Sequence, residues 1–448
     1  MAFDTDAASS PAQSLARVIA RVKAILADRG DSRLAQLVAG KVFLVRVANA
    51  MLALVSQVLL ARWMGSFEFG VFIYVWTWVL MIGALSDMGL SSAARRFIPE
   101  YTELKAHDKL RGFLSGGCWL ALGIASAIAA VGLLAVFALS PWIKDYLFVP
   151  LILACVMIPS YGLVQIQSGI AQSYNWANLA FLPFYIIRTS AVIVLMGIAW
   201  LIGAPTDALT ALYISIITIY GVTIGQLLVL NRKLRTKVAA GPKTYEPKIW
   251  LATSMPIFAV ESLYLMLTYV DILALEHFRS PEEVAAYYAA ARLLAIVAFV
   301  YFAIAGATTH KFTQYHVSGD KARLAQFFGE TIRWTFWPSL AICVAILICG
   351  KPLLRLFGPG FDAAYDVMFI LAVGMLARAA VGPAERLLLM LGDRKQCVAI
   401  YALAFAINLA LCFVLIPRIG IEGAAASVST ALVVESICLY FVARRRLA

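Results

Sequence analysis

Long apolar runs separated by short polar connectors make up most of the chain. Their limits are 42–63, 69–92, 113–139, 147–171, 177–202, 208–230, 250–274, 284–309, 333–357, 365–390, 397–416 and 423–443. At a rise of about 1.5 Å per residue, each can cross a hydrocarbon layer of ~30 Å as a helix. Barrel strands are excluded, because the runs are far longer than the roughly 9–11 residues such a strand needs. The connectors carry breaker chemistry: Gly65-Ser66, Ser140-Pro141, Gly203-Ala204-Pro205, Ser280-Pro281, Gly358-Pro359-Gly360, Gly392-Asp393 and Pro417. The pattern predicts an all-α integral membrane protein of about twelve spans, with both termini on one side.

Charge orients it. Of 37 Lys and Arg residues, 26 fall in the segments that are inside if the N-terminus is inside. The outside connectors hold six: Arg62, Lys144, Arg279, Lys351, Arg355 and Arg418. This asymmetry places both termini in the cytoplasm. The formal charge of +12 is therefore a topological signal and not a nucleic-acid footprint. Hydrophobic residues make up 62% of the chain and charged residues 14%, which excludes an ordinary soluble protein. The N-terminus opens MAFDTDAASSPAQ without an apolar core, so no cleaved signal is expected. Leu15, Val18, Ile19, Val22, Ile25 and Leu26 then share one helical face, with Arg17, Arg21 and Lys23 off it. That stretch suits the anionic cytoplasmic leaflet, or packing on the connectors.

The seven cysteines form no CxxC, and the four histidines have no ligand spacing, so no metal is expected. No P-loop or Rossmann glycine pattern occurs, and no cofactor is expected.

An offset of 215 residues lays LLARWMGSFEFGVFIY (59–74) on ALEHFRSPEEVAAYYA (274–289), and AARRF (93–97) on TTHKF (308–312). The expectation is two six-helix lobes, 42–231 and 250–443, related by a pseudo-twofold axis with a cavity between them. Residues 1–41 form a cytoplasmic segment, 232–249 a basic linker and 444–448 a basic tail.

Several segments resemble a known family. They are LARWMGSFEFGVF (60–72), SDMGLSSAARRFIP (86–99), YVDILALEHFRSPEEVAAYYAAARL (269–293), LMLGDRKQ (389–396) and NLALCFVLIPRIGIEGAAASVST (408–430). Together they resemble the polysaccharide flippase branch of the multidrug/oligosaccharidyl-lipid/polysaccharide exporter superfamily. Ala285 departs from the pattern, standing where the first half has Gly70. The resemblance implies a non-enzymatic carrier working by alternating access in the bacterial inner membrane. Its cargo would be an undecaprenyl-pyrophosphate-linked oligosaccharide, and a polysaccharide polymerase would be a neighbour in the pathway.

Charges inside apolar spans are costly and mark candidate sites. Arg188, Arg378, Arg292 and Arg46 are the cationic candidates, since a guanidinium can grip phosphate oxygens in bidentate fashion. Each could instead pair with a carboxylate or snorkel. Glu261, Glu435 and Glu385 are candidates for carrying a coupling ion. The 215-residue offset sets Glu261 on Arg46, so an ion pair is the competing reading. Asp87 reads as an end cap. A multidrug or metabolite antiporter is the alternative function. A membrane glycosyltransferase or polymerase is disfavoured, because no outside connector is long enough for a catalytic loop.

Overall fold

A computed structural model describes the backbone of residues 31–447 and the side chains of 48–309 and 311–447. The amphipathic stretch 15–26 and the side chain of Arg46 lie outside the described residues. The chain divides into Met1–Ala50, helical over 31–50, and Met51–Ala448, which holds all of the described core.

The helices are α1 (Asp31–Leu85), α2 (Leu90–Glu103), α3 (His107–Ala138), α4 (Asp145–Ser173), α5 (Ala177–Phe181), α6 (Arg188–Leu201), α7 (Ala208–Arg235) and α8 (Pro247–Phe278). They continue with α9 (Pro281–Leu294), α10 (Ala298–Val317), α11 (Lys321–Ile348), α12 (Gly350–Arg355), α13 (Tyr365–Val381), α14 (Ala384–Met390) and α15 (Arg394–Leu447). Among the described residues, 10 helical runs are long and apolar enough to cross a membrane. Two are double length: Ala48–Glu103, of 56 residues, and Arg394–Leu447, of 54. Laid straight, the second would reach about 80 Å, far beyond any bilayer. Each is broken inside, the first about a third of the way along and the second near its middle. Gly65 has φ 79° and ψ 170°, and Gly420 has φ 60° after Ile419 leaves the helical region. Counted at these breaks, the runs give the twelve spans that the hydrophobic pattern predicts.

Helix starts recur along the chain. Those at His107, Asp145 and Ala177 reappear at Lys321, Phe361 and Arg394, close to the offset of 215. Hydrophobicity alone misplaces some ends. The second span stops at residue 92 by hydropathy, yet α2 runs on to Glu103. Ala93, Ala94, Phe97 and Ile98 are buried on one face there, while Arg95 and Arg96 face outward. An amphipathic helix outlasts the apolar average. Before it, Met88 and Gly89 both have positive φ, and Asp87 accepts the N–H groups of Gly89 (3.0 Å) and Ser91 (2.9 Å). Asp87 thus satisfies donors that the new helix leaves open.

The apolar core is partitioned. One cluster draws on both halves of the chain, from Leu60, Phe69 and Leu147 to Leu275, Phe361 and Ile416. It lies toward the turns at Gly65, Lys144, Arg279 and Gly360. A second cluster gathers Leu90, Phe97, Phe113, Ile170 and Leu230, joined by Trp250 at the start of α8. A third gathers Phe312, Phe328, Leu387, Tyr401 and Leu439 from the last six spans. The halves therefore share a core at one end; at the other their cores are distinct clusters, with Trp250 of α8 packed into the first. At the shared end Gly70 is a close-approach point: a β-carbon there would lie 1.9 Å from the Pro281 carbonyl oxygen. Small residues allow such approach where no water drives association. Ala285 is fully buried at the equivalent corner.

Candidate functional site

Arg188 follows a π-turn. Leu182–Ile187 bond five residues back, with Pro183 in the first turn, and the Arg188 N–H reaches Pro183 O. The Phe184 carbonyl instead receives the guanidinium Nε of Arg188 at 3.3 Å. The guanidinium lies over the rings of Trp76 (4.6 Å) and Phe184 (4.8 Å). Ring faces attract a cation without neutralising it. No carboxylate pairs with Arg188 among the described residues. The charged or ionisable groups within its electrostatic reach are the phenols of Tyr161 and Tyr185.

Arg292, in α9, is half-buried and makes no hydrogen bond or ion pair among the described residues. Its neighbours are again tyrosines, Tyr269 from α8 and Tyr288 one turn earlier in its own helix. Tyr269 is also within reach of Tyr185 and Tyr161. Through these tyrosines Arg188, from the first six spans, and Arg292, from the last six, share one electrostatic neighbourhood, a row defined by charge range. Gln57 donates to the Tyr288 hydroxyl at 2.6 Å and fixes that end of the row.

Arg378 is placed differently. Its Nη2 lies 3.6 Å from Oε1 of Glu435, a residue with no exposed side-chain surface. The rings of Tyr264 and Tyr301 flank the guanidinium at 5.7 and 5.5 Å. Just beyond, α13 ends at Val381 and Gly382 turns with φ 58°, so Pro383 restarts the chain as α14. This break directs Glu385 to the Tyr301 hydroxyl, which donates to Oε2 at 3.1 Å. Tyr301, Arg378, Gly382, Glu385, Glu435 and Ser436 line an enclosed space with room for about one water molecule. Both Glu435 oxygens lack a hydrogen-bond partner.

Glu261 accepts from Ser92 Oγ at 3.0 Å, and Arg95 donates to that same Ser92 oxygen at 2.6 Å. It stands apart from the Glu435 cluster. The expected Arg46 contact lies outside the described side chains. No group of three or more His, Cys, Asp or Glu that could hold a metal occurs among the described residues.

Sequence reasoning missed a half-buried ion pair at the shared end, in which only the carboxylate is buried. Lys144 Nζ lies 2.9 Å from Glu276 Oε1 and 2.7 Å from its backbone carbonyl, and Tyr146 donates to the same carboxylate oxygen at 3.0 Å. The two charges are 132 residues apart and sit at helix ends, Lys144 just before α4 and Glu276 near the end of α8, where single charges are unremarkable. No spacing signal could have joined them. By sequence Tyr301 reads as an interfacial anchor, and Tyr264, Tyr269 and Tyr288 carry no signal of their own; the structure sets Tyr264 and Tyr301 against Arg378.

The sequence matches the polysaccharide biosynthesis protein family over residues 39–310, more than half of the chain, and the MatE family over residues 256–414. No curated protein matches it. Among solved structures, the chain is similar to a multidrug resistance MATE family transporter of the MOP superfamily in an inward-facing conformation. The TM-score is 0.73 at 15% identity, covering 90% of this chain and 98% of that one. An outward-facing conformation of such a transporter gives 0.67 at 16% identity, covering 92% and 95%. A MOP superfamily transporter from Pyrococcus furiosus, described as having a binding pocket of reverse polarity, gives 0.66 at 15% identity, covering 94% and 96%. The fold is that of MATE-like transporters: all-helical, membrane-embedded and multi-pass.

Proposed function

The chain belongs to the polysaccharide biosynthesis protein family, and from that premise we propose that it flips an undecaprenyl-pyrophosphate-linked oligosaccharide from the cytoplasmic to the periplasmic leaflet. The observation that carries this reading is the pair Arg188 and Arg292. Each is a cation without a carboxylate partner among the described residues, and a row of tyrosines lies within electrostatic range of both. A lipid diphosphate supplies the anionic oxygens that such guanidiniums lack. Aromatic faces beside them suit the apolar faces of sugar rings. Arg378 borders the same row through Tyr264, which is within reach of Tyr269.

The charge asymmetry assigns the shared-core end to the periplasm. On this reading the two distinct inner cores face the cytoplasm, and Lys144–Glu276 ties the outer side together. Outward opening requires that pair to part and the inner cores to meet. Glu435, Glu385 and Glu261 are the acids available to couple an ion to this exchange.

A multidrug antiporter is the second reading. Exporting cationic compounds calls for unpaired acids in the central space, but Glu435 faces Arg378 and Glu261 faces Ser92 and Arg95. The test is reconstitution into liposomes with fluorescent lipid-linked oligosaccharide. Protein-dependent movement between leaflets that is lost in Arg188→Ala supports the flippase. Export of cationic dyes without lipid movement overturns it.

A further inference from the structure

We propose that Glu435 is a stand-in for the substrate's phosphate on Arg378, displaced and protonated when the lipid diphosphate arrives. The inference rests on the flippase reading and adds a coupling step to it.

The geometry of the pair is unusual for a buried carboxylate. Glu435 has no exposed surface, whereas the Arg378 side chain is 23% exposed. Arg378 can therefore be approached from outside the pocket and Glu435 cannot. Buried carboxylates normally collect hydrogen-bond donors. Glu435 has none, and its nearest guanidinium nitrogen, at 3.6 Å, is beyond hydrogen-bonding distance. Charge attraction alone ties the two together. A diphosphate offers the guanidinium several oxygens in the planar, two-point arrangement it binds best. It should win the contest for Arg378.

Glu435 then faces apolar surroundings with its counter-charge shared away, and an isolated buried carboxylate is strongly disfavoured. The groups facing it deepen the effect. Glu385, from α14, adds a second negative charge, and Tyr301 from α10 and Tyr401 from α15 contribute phenols. Arg386 lies near Tyr301, and Tyr264 from α8 packs on the far side of Arg378. Arg378 is the cation facing the carboxylate, so its engagement elsewhere is felt directly. The step is a simple protonation: an O–H bond of a hydronium ion breaks as one forms on a Glu435 oxygen, leaving a water molecule and a neutral carboxyl. The one-water space beside Glu435 and Ser436 gives the proton a place to arrive.

By linkage, diphosphate binding and proton uptake favour one another, so affinity rises as pH falls. A diphosphate leaving with one proton remains net negative. An interior-negative membrane potential therefore still favours its exit.

The test is calorimetric titration of the full chain in detergent with farnesyl diphosphate, repeated in buffers of different ionisation enthalpy. Relative to Glu435→Gln, the wild type should take up about one more proton per diphosphate bound. The ligand's own titration is common to both proteins and cancels in that difference. Glu435→Gln should bind more tightly, with a flatter pH dependence. Equal proton uptake in the two proteins, or weaker binding by folded Glu435→Gln, overturns the inference. Infrared difference spectra of the wild type provide an independent readout should Glu435→Gln fail to fold. Ligand must then produce a protonated-carboxyl band, and its absence is equally fatal. The two proposals fail separately: no binding by the wild type sinks the flippase reading, whereas binding without the proton difference sinks only this one.

Discussion

Arg188 and Arg378 are both arginines deep in an apolar span, and both are flanked by aromatic rings within 6 Å. They differ in what lies behind the rings. Behind Arg188 there is its own helix's carbonyl at Phe184, and the nearest ionisable groups are phenols. Arg378 has Glu435 at 3.6 Å, with Glu385 beside the same small space. A guanidinium held only by ring faces keeps its full charge for an incoming anion. One facing a carboxylate is half neutralised and becomes part of the protein's own electrostatics. Depth in the membrane was the common feature, and it does not distinguish the two roles.

The difference can be broken by removing charges one at a time, and stability separates the cases. Arg378→Ala should be the most damaging, because Glu435 would remain buried without a counter-charge. The loss should be about 3–5 kcal/mol, read from thermal unfolding in detergent. Arg378→Ala/Glu435→Leu should recover most of it, and a single variant as stable as the wild type would show that the pair does no structural work. Lys144→Met comes next. Glu276 would keep Tyr146 as a donor, so the expected cost is about 1–3 kcal/mol. It should also raise the reactivity of a cysteine placed at Ala61, at the outer end of the shared core.

Arg188→Ala sharpens the contrast from the other side. Only ring contacts and one hydrogen bond are lost, so stability should fall by no more than about 2 kcal/mol. Polysaccharide made per folded molecule should nonetheless drop to near zero, with partial recovery in Arg188→Lys, which keeps the charge but not the fork. Arg292→Ala should be the mildest in stability, within about 0.5 kcal/mol, because no partner is abandoned. Its effect should appear in transport. Collapse of folded protein in either variant would show that the fold depends on that arginine, as it does on Arg378 facing Glu435.

Much of the fold was legible because lipid imposes a simple rule: apolar runs of sufficient length become helices. The double-length helices show where legibility stopped. Hydropathy placed the turns correctly at Gly65 and near Pro417, but it could not show how little non-helical backbone each turn uses. The π-turn before Arg188 was likewise hidden, since Leu182–Ile187 has the composition of any apolar helix. Among site residues, single buried charges stood out individually, as Arg188, Arg292, Arg378, Glu385 and Glu435 did. Their pairing did not. Arg378 and Glu385 sit seven residues apart, a spacing that would share one face of an unbroken helix, yet Gly382 and Pro383 break the helix between them. Glu435, from a distant span, takes the place nearest the arginine.

The amino-acid sequence by itself determined the class, the number of spans, the charge asymmetry and the set of ionisable residues that must be explained. These follow from local properties: segment length, hydropathy and the cost of charge in hydrocarbon. Tertiary structure alone decided which of those charges are neutralised and which remain available, and which end of the molecule holds a shared core. Those outcomes depend on contacts between residues more than a hundred positions apart, such as Lys144 with Glu276. In a helical membrane protein such contacts are set by the packing of small residues and ring faces, as at Gly70 against Pro281. That geometry leaves no periodic trace along the chain.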